Sequence, residues 1–232
     1  METVIFGAVP YLVIAIAVIG TAYRYQSNRF SWSTQSSQLL ENKQQFLGSV
    51  SWHYAILVVF FGHLIGFLLP GAYGGLKHDN VAVGYTAEAI ALGSGILAVI
   101  GLLIVINRRL SNPRARAVTQ PGDSLLLGAL LFQVSLGILS TQSHAPGESW
   151  FTSAAAPWLW SIVSLSPDVS FIAPLPTVVK LHLVGAMLVF ALIPFTRLVH
   201  IFSAWNLVKY QWRAPQLVRW FRREAQKETT QV

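Results

Sequence analysis

The 232-residue chain contains no cysteine. That absence excludes disulfides, thiolate-held iron–sulfur clusters and haem attached through a C-x-x-C-H motif. Any redox chemistry in this chain must use other ligands. Charge is also scarce, at 11% of residues against about 25% in soluble domains. A chain that is 53% hydrophobic, with a mean hydropathy of +0.53, cannot cover a soluble surface with charge. Acidic residues are the rarer sign: 9 Asp and Glu face 16 Lys and Arg, a net charge of +7. In so apolar a chain, this excess points to membrane topology and not to nucleic acid.

Long apolar stretches set the organisation. Thr3–Tyr23 carries no charge, Val50–Pro70 is apolar apart from two histidines, and Ala89–Asn107 is uncharged with Glu88 at its start. Ser124–Ser140 reads SLLLGALLFQVSLGILS, and Leu181–Thr196 continues its apolar pattern past Arg197 to Trp205. A helix needs about 20 residues to cross the hydrocarbon core. With their flanks, five segments qualify. No water solvates bare backbone in a bilayer, and the runs lack period-two alternation, so helices are expected and a β-barrel is not. The fold class is therefore all-α, a bundle of five transmembrane helices over residues 1–205, followed by a basic tail, 206–232. Trp150–Leu165 is apolar but short and contains Pro157. It reads as an interfacial helix, with Trp150, Trp158 and Trp160 at the membrane–water boundary.

Of the 16 basic residues, 14 fall in the first connection, the third connection or the segment from Arg197 onward. The positive-inside rule then puts the N-terminus outside and the C-terminus in the cytoplasm. The first span has Glu2 and no basic stretch before it, unlike a cleavable signal peptide.

Four of six histidines lie in spans: His53 and His63 in the second, His182 and His200 in the fifth. An ionisable residue inside a membrane is costly and faces the bundle interior. A single one could simply be bonded across helices, but two on each of two helices suggest sites. Because the helices run in opposite directions, His53 is expected beside His200 near the inner face, and His63 beside His182 near the outer face. On straight helices the two spacings would be about 15 and 27 Å. That mismatch calls for tilt or a kink, which Pro194 can supply. His182 and His200 are five full turns apart and would share one face. A bare metal usually draws three or four protein ligands. Two histidines per site suit the axial positions of a haem instead, whose porphyrin supplies the other four bonds. With both axial positions filled, electron transfer is favoured over oxygen binding. Arg197, one turn before His200, is a candidate for a haem propionate or a snorkelling interfacial arginine. The run from Arg108 to Arg116 reads first as solvated positive-inside charge, with a propionate, anionic lipid or a partner as its other candidates. Gly62, Gly66, Gly93, Gly95, Gly101 and Gly185 let a flat cofactor or a neighbouring helix come close.

The stretches SSQLLENK, HYAILVVFFGHLIGFLLP, SNPRARAVTQPGD and KLHLVGAMLVFALIPFTRLVHIFSAW resemble the gamma subunit, or cytochrome b subunit, of membrane-bound respiratory nitrate reductase. The resemblance covers nearly the whole chain. The His53–His63 spacing of 10 and the His182–His200 spacing of 18 are its specific part. It implies two b-type haems: an inner one on His53 and His200, and an outer one on His63 and His182. It implies a prokaryotic inner-membrane location, a quinol substrate oxidised near the outer haem, and two cytoplasmic partners. These are an iron–sulfur beta subunit and a molybdopterin alpha subunit that reduces nitrate to nitrite. Relatives place a lysine shortly before the third span. The stretch VAVGYTAEA here has none, so the quinol-site candidates are Gly62, His63, Lys77, Tyr85 and Glu88, with His78 nearby. Two other readings are the same module serving a sulfite- or heterodisulfide-linked reductase, and a haem-free anchor or transporter with structural histidines.

Overall fold

The computed structural model describes residues 1–28, 43–143 and 150–203; the side chains of 43–45, 76–79, 81 and 203 fall outside the description. The basic tail 206–232, His144 and the greater part of the first connection therefore lie outside the described residues.

The described chain is all-helical, without a strand. A π-helical turn, Thr3–Ala8, leads into α1 (Val9–Ser27). Then come α2 (Lys43–Leu68), α3 (Pro70–Asp79) and α4 (Val81–Ser111). The short α5 (Pro113–Ala117) precedes α6 (Pro121–Gln142), α7 (Ala156–Val163) and α8 (Thr177–Leu192). Two 3₁₀ segments follow, Ile193–Phe195 and Arg197–Ser203. Five helical stretches are long and apolar enough to cross a membrane: Thr3–Ser27, Phe46–Leu68, Ala82–Ser111, Pro121–Gln142 and Thr177–Phe195.

Local chemistry sets the helix starts. Asn80 caps α4 by accepting from the N–H groups of Ala82 and Val83, and Asn112 does the same for α5. Proline stands in the first turn of α5 and α6, where its missing N–H costs nothing. The early cap at Asn80 starts α4 well before Ala89. Glu88 thus lies about two turns inside the helix, not at its start.

The helices pack as a bundle whose large perimeter side chains, among them Ile14, Phe61, Leu103, Phe132 and Phe190, are exposed. Such an apolar perimeter suits lipid, in which association relies on close packing and not on excluding water. At Gly101 of α4, an added Cβ would lie 2.7 Å from the main-chain nitrogen of Trp52 on α2. Glycine there lets the two backbones touch. Ala55, Ala98, Leu102, Leu126, Leu130 and Val134 fill the interior between α2, α4 and α6. A second cluster at the opposite end joins Phe6, Trp158, Ile162, Ile172 and Val179.

Two segments add detail that the sequence did not carry. The first is 150–165, which is a π-helical turn, Phe151–Ala155, followed by α7. It is not among the long apolar helices, and only one side of it is buried: Ala155, Ala156 and Ile162 are buried and Trp158 is 5% exposed, while Ser153, Trp160 and Val163 are exposed. The Trp158 indole donates to the carbonyl of Phe6 at 2.9 Å and its ring meets Phe6 edge-on. Trp158 is thus a core residue, held there by an internal acceptor for its N–H. Trp160 is half-exposed and bonds to the carbonyl of Phe67 at 2.8 Å.

The second is the last span. The α-helix stops at Leu192, and Thr196 is extended between the two 3₁₀ segments. His182 and His200 are therefore not on one continuous helical face. Pro194 cannot donate to the ladder, and side chains serve several of the backbone groups around it. Arg24 donates to the carbonyls of Pro194 and Thr196 at 2.8 and 2.7 Å. The Thr196 hydroxyl donates to Leu192 O at 2.8 Å and accepts from Leu198 N–H at 3.3 Å. Gly20 makes room: a Cβ there would lie 2.9 Å from the Pro194 ring.

Candidate functional site

The structure brings the four span histidines together in two pairs. His53 of α2 and His200 of the last 3₁₀ segment have ring centroids 6.0 Å apart. His63 of α2 and His182 of α8 have centroids 6.3 Å apart. Two imidazoles on opposite sides of one metal ion, each bonded at about 2.0–2.1 Å, place their centroids at about this separation.

Three of the rings are fixed by nearby carbonyls. Nδ1 of His53 donates to Ser49 O at 2.7 Å, that of His63 to Val59 O at 2.8 Å, and that of His200 to Arg197 O at 2.8 Å. A carbonyl can only accept, so the proton sits on Nδ1 and the Nε2 lone pair is left for a metal. His182 is held differently, across helices. Its Nδ1 lies 3.2 Å from the main-chain oxygen of Gln133 on α6 and 3.1 Å from the Gln133 amide nitrogen. That amide also donates to His182 O at 3.1 Å.

Among the described residues no three His, Asp or Glu side chains converge as a metal cluster. Two facing imidazoles therefore fit a metal whose other bonds come from a macrocycle, not a bare ion. The surroundings fit a flat group as well. His53 is exposed and the other three rings are partly so, and a Cβ at Gly62 or Gly93 would meet nothing within 4 Å. Gly66 serves a different end, because its missing side chain is replaced by the ring of Phe151, which also stands edge-on to His63 at 5.4 Å.

The inner pair borders a cavity of about 160 Å³, whose lining includes Trp52, Leu102, Arg109, Asp123 and Arg197. Asp123 is 5% exposed and takes Arg109 at 3.3 Å and Arg197 at 2.6 Å. The Arg197 Nε–H is thus engaged by a carboxylate of this chain. At the other end, Glu88 and Tyr85 lie on α4, and Tyr85 is exposed. Lys77 and His78 lie on α3, with side chains outside the description. Sequence reasoning did not single out Tyr73 of α3. Burial, and then the charge of Glu88, hold its hydroxyl above the usual tyrosine range.

Gln133, Asp123 and Phe151 were also missed. Gln133 had a signal, since it is the one side-chain amide in an otherwise apolar span. Asp123 had another, as the acid that closes the first turn of α6 by accepting the Gln120 N–H at 3.1 Å. Phe151 had none, because nothing local in the sequence tells which aromatic reaches His63.

The nitrate reductase gamma subunit family profile matches residues 2–221. The chain is 38% identical over 202 residues to the nitrate reductase gamma chain of Bacillus subtilis, covering 86% of this chain and 91% of that one. It is 34% identical over 222 residues to the respiratory nitrate reductase 1 gamma chain of Escherichia coli, covering 92% and 95%. A more distant relative is the Hdr-like menaquinol oxidoreductase cytochrome b-like subunit of Archaeoglobus profundus. It is 22% identical over 169 residues, covering 72% of this chain and 49% of that one. With five apolar helices and relatives of this kind, the chain is a multi-pass prokaryotic membrane protein and belongs to the nitrate reductase gamma subunit family, as a subunit of an oxidoreductase complex.

Proposed function

We propose that the chain is a dihaem cytochrome b subunit that oxidises a quinol and hands the electrons to cytoplasmic iron–sulfur and molybdopterin subunits reducing nitrate to nitrite. The observation that carries this reading is the pairing of imidazoles at 6.0 and 6.3 Å. His53 and His200 would hold the inner haem, His63 and His182 the outer one. Haem b supplies one-electron carriage between ferrous and ferric iron. The chain's own part is to orient the ligands. Carbonyls of Ser49, Val59 and Arg197 keep the proton on Nδ1, and with both imidazoles of a pair bound the iron would have no open position for oxygen. The absence of cysteine agrees with clusters housed in a partner.

The charge bias supports an N-terminus outside and a cytoplasmic C-terminus. The quinol would then bind near His63 and His182, with Gly62, Lys77, Tyr85 and Glu88 as candidate contacts and Tyr73 added beside Glu88. A quinol gives up protons on oxidation, and a carboxylate such as Glu88 is a suitable acceptor. Moving an electron inward across an inside-negative membrane requires about 2.3 kcal/mol per 100 mV for a full crossing, which the redox drop must supply.

A reduced-minus-oxidised absorption spectrum tests the reading. Two b-type components are expected in the wild type. His63→Ala or His182→Ala should remove the outer one and His53→Ala or His200→Ala the inner one. A well-folded preparation without b-type absorption leaves only the haem-free anchor. The Archaeoglobus relative favours a second reading, in which the module serves a heterodisulfide-type reductase. Co-purification with such a reductase, in place of molybdenum and iron–sulfur subunits, would select it.

A further inference from the structure

We propose that Asp123 is a positioning residue for His200, acting through Arg197. The inference rests on the reading of His53 and His200 as partners of one haem. The two rings of this pair are held by different means. His53 sits within continuous α2, and its Nδ1 bonds to the carbonyl one turn back, Ser49 O. The helix itself fixes that ring. His200 lies beyond the break at Pro194, on a seven-residue 3₁₀ segment. Such segments have poorer hydrogen-bond geometry than an α-helix and rarely run long. Its ring bonds to the carbonyl of Arg197, the first residue of the segment. The ring's direction therefore depends on where Arg197 is pinned.

Asp123 does the pinning. Its Oδ1 accepts from Arg197 Nε at 2.6 Å, and its Oδ2 accepts from Arg109 at 3.3 Å and from the Gln120 main chain at 3.1 Å. One carboxylate ties the end of α4, the start of α6 and the start of the His200 segment. It is 5% exposed and lines the same cavity as His53 and His200. Charge-assisted bonds of this kind are short and directional. A neutral side chain would leave the two guanidinium groups without the negative charge between them. The chain of contacts is continuous: carboxylate, Arg197 side chain, Arg197 carbonyl, His200 ring.

The test compares Asp123→Asn and Arg197→Gln in the full chain within its complex, by electron paramagnetic resonance and redox titration. In both variants the inner low-spin signal should give way to a high-spin component. Haem retention at the inner site should fall at least about tenfold, as for outer-shell partners of metal ligands. The outer signal should be unchanged and serve as the control for folding. The double variant should be no worse than either single one, because both break the same link. A purely electrostatic role would leave the inner site low-spin, with the potential raised by Asp123→Asn and lowered by Arg197→Gln, and that result overturns the proposal. If Asp123→Asn loses both signals, Arg197→Gln decides: an intact inner low-spin signal there also overturns it. A wild type without haem overturns the function itself, and the wild-type spectrum tells that failure from the others.

Discussion

At the scale of the residue, His182 differs from the other span histidines in what holds its ring. Its Nδ1 has no carbonyl of its own helix as partner and meets Gln133, 49 residues away in sequence. Glycine at 185 is part of the arrangement, because a Cβ there would strike the Gln133 amide oxygen. Gln133→Leu keeps the main-chain acceptor but removes the amide that clamps the His182 backbone. We expect it to weaken haem retention at the outer site about tenfold or more, in the range of outer-shell partners, while the inner site is unaffected. Stepwise haem titration of the purified variant measures both in one sample. The four histidines were legible in the sequence because each of two spans carries a pair of them in otherwise apolar surroundings. The residues that aim them were not, because Gln133–His182 and Asp123–Arg197 join helices far apart along the chain, and no periodicity encodes such a contact.

At the scale of the element, the last span is an α-helix followed by two 3₁₀ segments joined through one extended residue, Thr196. Proline at 194 announced a kink in the sequence. What it could not announce was that Arg24, from the first span, supplies the donors for Pro194 O and Thr196 O. Hydrogen bonds from a charged donor contribute about 1.5–3 kcal/mol each. Arg24→Met, of similar length but without donors, should therefore destabilise the fold by about 2 kcal/mol or more, seen as a lower Tm in detergent. It should also loosen the inner site before the outer one. An unchanged Tm would mean that the break is held by Thr196 alone. The segment 150–163 teaches the complementary lesson. Its tryptophans suggested a membrane boundary by composition, yet Trp158 is claimed by a carbonyl on Phe6, a preference set by the tertiary fold.

At the scale of the whole molecule, five spans were legible from charge-free length alone, and the described residues contain five helices long and apolar enough to cross a membrane. Their ends were less so, because caps such as Asn80 extend helices beyond the apolar run. The orientation proposed from charge is directly testable, since the chain offers a cysteine-free background. Ser166→Cys, in the exposed connection before α8, should react with a membrane-impermeant maleimide in intact spheroplasts. Ala117→Cys, at the end of α5, should react only after permeabilisation. The reverse pattern would invert the topology.

The break at Pro194 also imposes an order of assembly. The chain emerges from its N-terminus, so Arg24 and Asp123 are in place before their partners at Thr196 and Arg197 have been made. Until the fifth span arrives, Arg24 lacks the two carbonyls it will hold, and Asp123 lacks the nearer of its two arginines. Docking of the Arg197–Ser203 segment completes both arrangements and delivers His200 to His53 in the same event. Closure of the His53–His200 pair thereby depends on four spans at once: the second carries His53, and the first, fourth and fifth together set the segment that carries His200.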